Sequence, residues 1–277
     1  MSRRGSGRRS GKRSDQQKSF AKRDGKSRSA RSERYFVCGI NAFNQLYETD
    51  PDRLIEVFLL ENLGRERMQR LAIDPNHLVV PVQQVDEDHL FRLAGTDSHQ
   101  GIVAAIKPPA ILDDNGALEL LEGIENPLIL VLDSCQDPRN FGACLRTAEA
   151  AGVDLVVIPR SRSPELTPTV SKVASGAAEV QKIARVSNLA RFLRELQDAG
   201  VWLVGTDGEA EGSLYEQSLT GPTALVMGAE GEGMRRLTAE HCDLLVKLPL
   251  LGTVESLNLS VATGIGLYEI LRQRGTT

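Results

Sequence analysis

The sequence predicts an α/β protein with two folded units behind a basic tail. Short apolar runs alternate with amphipathic segments of helical period, the pattern of strands joined by covering helices. The alternation occurs twice, and Pro108-Pro109 marks the break between the two blocks. Charge is split just as sharply. Residues 1–34 hold thirteen Lys/Arg against three Asp/Glu, whereas the rest of the chain holds twenty against thirty-four.

The tail is rich in Ser and Gly and almost free of large apolar residues. It is expected to be disordered, because it cannot bury enough surface to offset its ordering entropy. It lacks the apolar core of a secretory signal, and no apolar run is long enough to span a bilayer, so a cytoplasmic protein is expected. The four cysteines form no C-x-x-C pair and are expected as reduced thiols. Cys135 is read as a small packed residue rather than a nucleophile. The four histidines show no metal-ligand spacing, so no metal is expected. The histidines are read as packing or surface residues, with a place on the binding face of the first unit as the alternative for His99.

In the first unit, residues 35–107, helices are expected at 39–47, 65–72 and 86–94, and strands at 55–60, 77–82 and 101–106, giving a helix–sheet–helix sandwich. Residues 108–126 read as a linker with one helical piece at 117–121. In the second unit, residues 127–277, strands are expected at 128–132, 155–158, 180–186, 201–205, 224–228 and 244–248. Their nearly continuous apolar character fits a parallel sheet covered on both faces. Helices are expected at 140–151, 168–175, 189–199, 234–241 and 257–274, with Gly152 and Gly200 as helix-ending residues.

Three polar clusters follow strands of the second unit, where open α/β sheets bind ligands. The first runs Asp133-Ser-Cys-Gln-Asp-Pro-Arg-Asn-Phe-Gly-Ala-Cys-Leu-Arg146. Pro138 sets a turn, Asn140 suits a helix N-cap, and Phe141, Cys144, Leu145 and Ala148 form a buried stripe. Gly142, one turn before Arg146, is expected to leave room for a ligand to reach a guanidinium suited to phosphate. Read alone, Arg146 fits a solvated helix face better than a site. The second cluster, Met227-Gly-Ala-Glu-Gly-Glu-Gly-Met234, places Glu230 among glycines that permit close backbone approach. Its glycines lack the G-x-G-x-x-G order, which argues against a dinucleotide-dependent oxidoreductase. The third cluster, Gly252-Thr-Val-Glu-Ser-Leu-Asn-Leu-Ser260, offers Ser256 and Asn258 as caps or site residues before an apolar helix.

In residue type, spacing and order these clusters resemble the three motifs of the SpoU (TrmH-like) family of RNA ribose 2′-O-methyltransferases. The resemblance implies a SPOUT-type parallel sheet whose C-terminal segment forms a trefoil knot, preceded by a small L30e-like substrate-binding domain. It implies S-adenosylmethionine as methyl donor and a guanosine 2′-hydroxyl of RNA as acceptor, with 23S rRNA expected and tRNA as the alternative. It marks Asn140, Arg146, Glu230, Ser256 and Asn258 as catalytic, and Gly205, Thr206, Gly228, Leu248 and Leu257 as surrounding the donor. It also implies a homodimer through the final helix. The remaining rival is a noncatalytic RNA-binding or ribosome-assembly protein that keeps the fold without the chemistry; the complete motif set argues against it.

Because the tail precedes an acidic body that repels RNA at long range, it is expected to supply sequence-independent phosphate contacts. Deleting residues 1–34 should weaken RNA binding and flatten the dependence of log K on log salt, with the methylated position unchanged. An identical salt slope for the truncated protein would show that the tail does not touch phosphate in the complex.

Overall fold

The computed structural model describes residues 35–231 and 233–275; the tail expected to be disordered lies outside these residues. The first unit contains β1 (Tyr35–Cys38), α1 (Ile40–Thr49), β2 (Leu54–Leu60), α2 (Arg65–Gln69), β3 (Val82–Val85), α3 (Glu87–Ala94) and β4 (Ile102–Ile106). Its sheet has the order β1-β4-β2-β3, with β1 and β2 antiparallel to β4 and β3 parallel to β2. Phe43, Leu46, Val57 and Ile106 close one face, and Phe58, Leu90 and Val103 the other. This is the expected sandwich. Two details differ. The strand expected at 77–82 lies at Val82–Val85, preceded by a 3-10 turn at Pro75–His77. Pro81 lacks a ladder donor, and only its carbonyl joins the sheet, accepting from the Val57 N–H at 2.9 Å. The helix expected at 65–72 stops at Gln69 and buries no residue, so packing does not extend it.

The second unit follows as β5 (Ile111–Leu112), α4 (Asp114–Leu121), β6 (Leu128–Leu132), α5 (Pro138–Ala150), β7 (Leu155–Pro159), α6 (Pro168–Ala174), α7 (Ala177–Val180), β8 (Ile183–Val186), α8 (Leu189–Asp198), β9 (Trp202–Thr206), β10 (Gly212–Ser213), β11 (Thr223–Met227), α9 (Arg236–His241), β12 (Leu244–Lys247) and α10 (Leu259–Gln273). These strands form one parallel sheet in the order β10-β12-β9-β11-β6-β7-β8-β5. The segment expected as a linker therefore supplies an edge strand, β5, and the capped helix α4, in which Asp113 accepts from the Gly116 N–H. The first part of the strand expected at 180–186 is instead the end of the helical turn α7.

Alternate residues of β6 feed two cores. Leu128, Leu130 and Leu132 meet Phe141, Leu145, Leu267 and Ile270, while Ile129 and Val131 meet Leu189, Phe192 and Leu196. The central pair β6 and β11 sends its connections to opposite faces, α5 into the first core and α9 beside α8. Their shared carboxyl edge is therefore a topological switch point, where the crossovers diverge and leave a crevice.

Gly142 is buried where α5 crosses α6. A Cβ there would lie 2.8 Å from the Val170 carbonyl oxygen and 2.9 Å from the Val173 Cβ. The glycine serves helix contact, not ligand access as the sequence suggested. Gly142→Ala should overpack this crossing and destabilise the protein by about 1–3 kcal/mol, read as a lowered denaturant midpoint at constant m-value.

Candidate active site at the carboxyl edge of the parallel sheet

The first cluster leaves β6 through Asp133, which is wholly buried. Asp137, not Asn140, caps α5, accepting from the Arg139 N–H at 2.9 Å with Pro138 in the first turn. An N-cap is the residue before the first helical position, so a proline at that position moves the cap to its predecessor. This frees the Asn140 side chain. Its Nδ2 donates to Glu230 Oε2 at 3.1 Å, and its Oδ1 accepts from Asn258 Nδ2 at 2.9 Å. Asn258 Nδ2 also lies 3.4 Å from Glu230 Oε2. Asn258 caps α10 with its other end, where Oδ1 accepts from the Ser260 N–H at 2.9 Å and from Ser260 Oγ at 2.7 Å. One residue from each of the three sequence clusters thus meets at the switch point, with two amides sharing one carboxylate oxygen.

Arg146 and Ser256 stand outside this triangle. Six residues along α5 place Arg146 about 120° around and about 9 Å along the helix from Asn140. Its exposed guanidinium donates from Nη1 to Ser175 Oγ at 3.3 Å. Ser256 is exposed in the segment before α10, and among the described residues it bonds to none of the other expected catalytic groups.

Three residues that sequence reasoning missed, Asp133, Arg235 and Ser175, support the site. Asp133 accepts from the Arg235 N–H at 2.9 Å and from its Nε at 2.7 Å, with Nη2 at 2.6 Å. This contact binds the end of β6 to the end of the Glu230 loop. It also delays α9, expected from Met234, until Arg236. The available signal was an acid at a strand's carboxyl end together with an arginine after the glycine cluster. Ser175, with φ +53, is the third.

The residues expected around a methyl donor fall on neighbouring strand ends: Gly205 and Thr206 on β9, Gly228 after β11, Leu248 after β12 and Leu257 before α10. Two of them have clear structural tasks. A Cβ on Gly228 would sit 2.2 Å from the backbone of Gly233 and Met234, and one on Gly205 would meet Cys242, Leu245 and Met234 within 2.8 Å. The Glu230 loop returns on itself through mutual Ala229–Gly233 backbone bonds of 2.9 Å. Beyond Leu248 the peptide groups of residues 249–257 make no hydrogen bond among the described residues. Leu251 is almost fully exposed and Val254 largely so. Free amides beside unburied apolar side chains suit a flat heterocycle with a polar edge. A cavity of about 450 Å³ lies elsewhere, lined by Pro159, Ser161, Ser187, Asn188, Arg235 and Arg236, and touches none of these donor residues.

Cys135 is buried, and desolvation pushes its thiol up to about 12, with Cys144 up to about 11. Both stay protonated near neutrality and neither reads as a nucleophile. His99 is buried, its Nδ1 accepting from the Gly101 N–H at 3.1 Å, which fits a packing role and not a place on a binding face. Among the described residues, no cluster of three or more His, Cys, Asp or Glu is placed to hold a metal ion.

The SpoU rRNA Methylase family model matches residues 127–268, which include the whole Asn140–Glu230–Asn258 triangle. The chain belongs to this family. A second model, RNA 2′-O ribose methyltransferase substrate binding, matches residues 36–112 of the SpoU chain. The 23S rRNA (guanosine-2′-O-)-methyltransferase RlmB of Photobacterium profundum is 53% identical over 238 residues, 86% of this chain and 97% of that one. RlmB of Haemophilus influenzae is 50% identical over 239 residues, with 86% and 97% covered. Among solved structures, an RNA 2′-O ribose methyltransferase superposes with a TM-score of 0.71 at 26% identity, covering 88% of this chain and 90% of the other. The SpoU methyltransferase AviRb from Streptomyces viridochromogenes, in complex with the cofactor AdoMet, gives 0.72 at 22% identity over 88% and 91%, and shares the fold.

Proposed function

We propose that this chain transfers a methyl group from S-adenosylmethionine to the ribose 2′-hydroxyl of a guanosine in 23S rRNA. The observation that carries the reading is the convergence of Asn140, Glu230 and Asn258 at the switch point. Its support is identity of about half to RlmB proteins across nearly their whole length. In this reading Pro108-Pro109 separates an RNA-binding unit at 35–107 from the methyltransferase unit at 127–277, with 108–126 between them. The C-terminal segment threads the trefoil knot of the SPOUT fold, and the protein works in the cytoplasm. Among the described residues no helix is long and apolar enough to cross a membrane.

Residues of the 249–257 segment, with Leu248, Leu257, Gly228, Gly205 and Thr206, would hold the donor. When bound, the donor supplies a methyl group already activated by its positive sulfur, and we propose that no metal is required. Arg146 cannot act as a base, because a guanidinium keeps its proton throughout the working range of pH. It instead holds the phosphate beside the target ribose and stabilises the developing alkoxide, while the proton leaves to that phosphate or to water. Asn140, Glu230 and Asn258 form the platform that orients the target nucleotide, and Ser256 closes on it from the exposed segment.

Arg146 points away from that platform within one chain. A second copy therefore completes the site, with the guanidinium of one subunit facing the donor site of the other. α10 presents Val261 and Tyr268, each about half exposed, seven residues apart on one face suited to such pairing.

Purified protein with labelled S-adenosylmethionine and 23S rRNA from cells lacking the enzyme should give a single 2′-O-methylguanosine. Arg146→Ala should lower kcat by about 10²–10³ with donor affinity unchanged. A wild-type protein that binds RNA but transfers no methyl group would establish the noncatalytic reading, and methylation of tRNA alone would move the substrate.

Mixing Arg146→Ala subunits with Glu230→Ala subunits should regenerate activity, because the mixed dimer holds one intact composite site. Inactive mixtures of demonstrated heterodimers would place Arg146 and Glu230 in the same subunit's site.

A further inference from the structure

The first unit is seated on the second through a buried polar cluster that the chemistry above does not use. Arg53, at the start of β2, sends its Nη2 to Glu179 Oε2 at 3.2 Å and its Nη1 to the Glu179 carbonyl at 2.9 Å. Its Nε donates to the Lys107 carbonyl at 3.1 Å, just before the Pro108-Pro109 break. Glu179 Oε1 accepts from Ser171 Oγ at 2.9 Å, and that hydroxyl lies 3.2 Å from the Tyr35 hydroxyl of β1. Arg53, Ser171 and Glu179 are all less than a tenth exposed. Charges buried this deeply are a costly way to hold two surfaces together, and an apolar contact of equal volume serves stability as well. What the ion pair adds is direction: three polar contacts that cross between the units, two from Arg53 to Glu179 and one from Tyr35 to Ser171, fix one orientation of the first unit on α6 and α7.

The same elements lead to Arg146. The last turn of α6 bonds the Ser175 N–H to the Ser171 carbonyl at 3.0 Å, and Ser175 Oγ accepts from Arg146. The next residue, Gly176, has φ +102, and a Cβ there would lie 3.3 Å from Gln45 Cβ and 3.4 Å from Ala42 Cα of α1. The turn on which Arg146 rests is thus clamped between the buried cluster and the first helix of the RNA-binding unit. We propose that Arg53 and Glu179 are positioning residues for methyl transfer: they seat the RNA-binding unit on α6 and α7 and, through Ser171 and the Ser175–Gly176 turn, fix the Arg146 guanidinium in the same frame as the bound RNA.

This inference rests on the methyl-transfer reading, in which Arg146 acts on the acceptor. The geometry passes through Arg146, so loss of the clamp should cost nothing once that arginine is gone. A role in stability alone has no such dependence.

The test is a double-mutant cycle in full-length protein, with labelled S-adenosylmethionine and 23S rRNA from cells lacking the enzyme. Glu179→Gln should lower kcat by about 10-fold, in keeping with the steep dependence of rate on small misplacements. The KM for RNA and the dissociation constant of the donor should each change by less than about 3-fold, since neither contact is removed. Arg53→Lys should recover part of the rate lost in Arg53→Met. In an Arg146→Ala background, Glu179→Gln should produce no further loss of kcat. Ser175→Gly keeps the positive φ and deletes only the hydroxyl contact. It should reproduce the kcat effect, and its own cycle with Arg146→Ala decides the matter if the buried variants do not fold. Full multiplication of the losses in either cycle overturns the proposal, as does wild-type kcat in folded Glu179→Gln and Ser175→Gly. Failure of the wild-type protein to transfer methyl at all would count against the proposed function instead, and is read in the control.

Discussion

The contact between Asp133 and Arg235 is the constraint on which the site depends. Asp133 is fully buried at the end of β6, where an unpaired carboxylate is not tolerated. Its partner comes from the far end of the Glu230 loop and answers with both its backbone N–H and its guanidinium. Removing one member of a buried pair typically costs about 3–5 kcal/mol, and the partial exposure of Arg235 puts this pair toward the lower end. That energy holds a loop with few other anchors. Between Met227 and Arg235 the chain turns through Gly231 and Gly233 at positive φ and leans on its own Ala229–Gly233 bonds. With both ends of the loop fixed, Glu230 stays within reach of Asn140 and Asn258.

Neighbouring strands provide the second level of order. β6 and β11 pair residue for residue from Leu128–Thr223 to Leu132–Met227. The two chains therefore leave the sheet at the same height, and their loops meet without a long reach. Alternation of β6 side chains between two dry cores makes any slip of this register costly, since a shift by one residue exchanges the two faces. The amide–carboxylate triangle is in this sense a consequence of strand register.

The strands of the large sheet and its long helices were legible because fully buried segments leave an unbroken apolar signal. The small sheet was legible at Ile102–Ile106, where the signal is apolar, and was lost at Val82–Val85, where the strand is half polar and lies beside a proline; the short apolar strand Tyr35–Cys38 was not anticipated either. β5 escaped because two residues carry no period at all. At the candidate site the motifs pointed to Asn140, Glu230 and Asn258, which the structure brings together, while local tasks were not readable. Asn140 reads as a cap in sequence, but Pro138 moves that task to Asp137. Gly142 reads as space for a ligand, but the space is taken by Val170 and Val173. Both misreadings share one cause: a helix face cannot be assigned until the neighbour packed against it is known. Ser175 and the Arg53–Glu179 pair were invisible for the same reason, since nothing in sequence joins positions 126 residues apart.

A contrast in polar satisfaction separates the scaffold of the site from its receiving surface. Asp133, Asn140, Glu230 and Asn258 have partners at both ends of the network and cannot reorganise without breaking several bonds. The segment 249–257 has the opposite character: among the described residues its peptide groups find no partner, and Leu251 and Val254 are exposed. Such a segment gains from a molecule that offers both hydrogen bonds and a flat apolar face. Anything that binds it in the folded state stabilises that state by mass action. Rigidity at the triangle and receptivity in the segment are joined by Asn258, which caps α10 immediately after the open residues and bonds Asn140 with the same side chain. Ordering of the segment on a ligand would thereby be anchored, through the residue that follows it, to the platform proposed to position the acceptor.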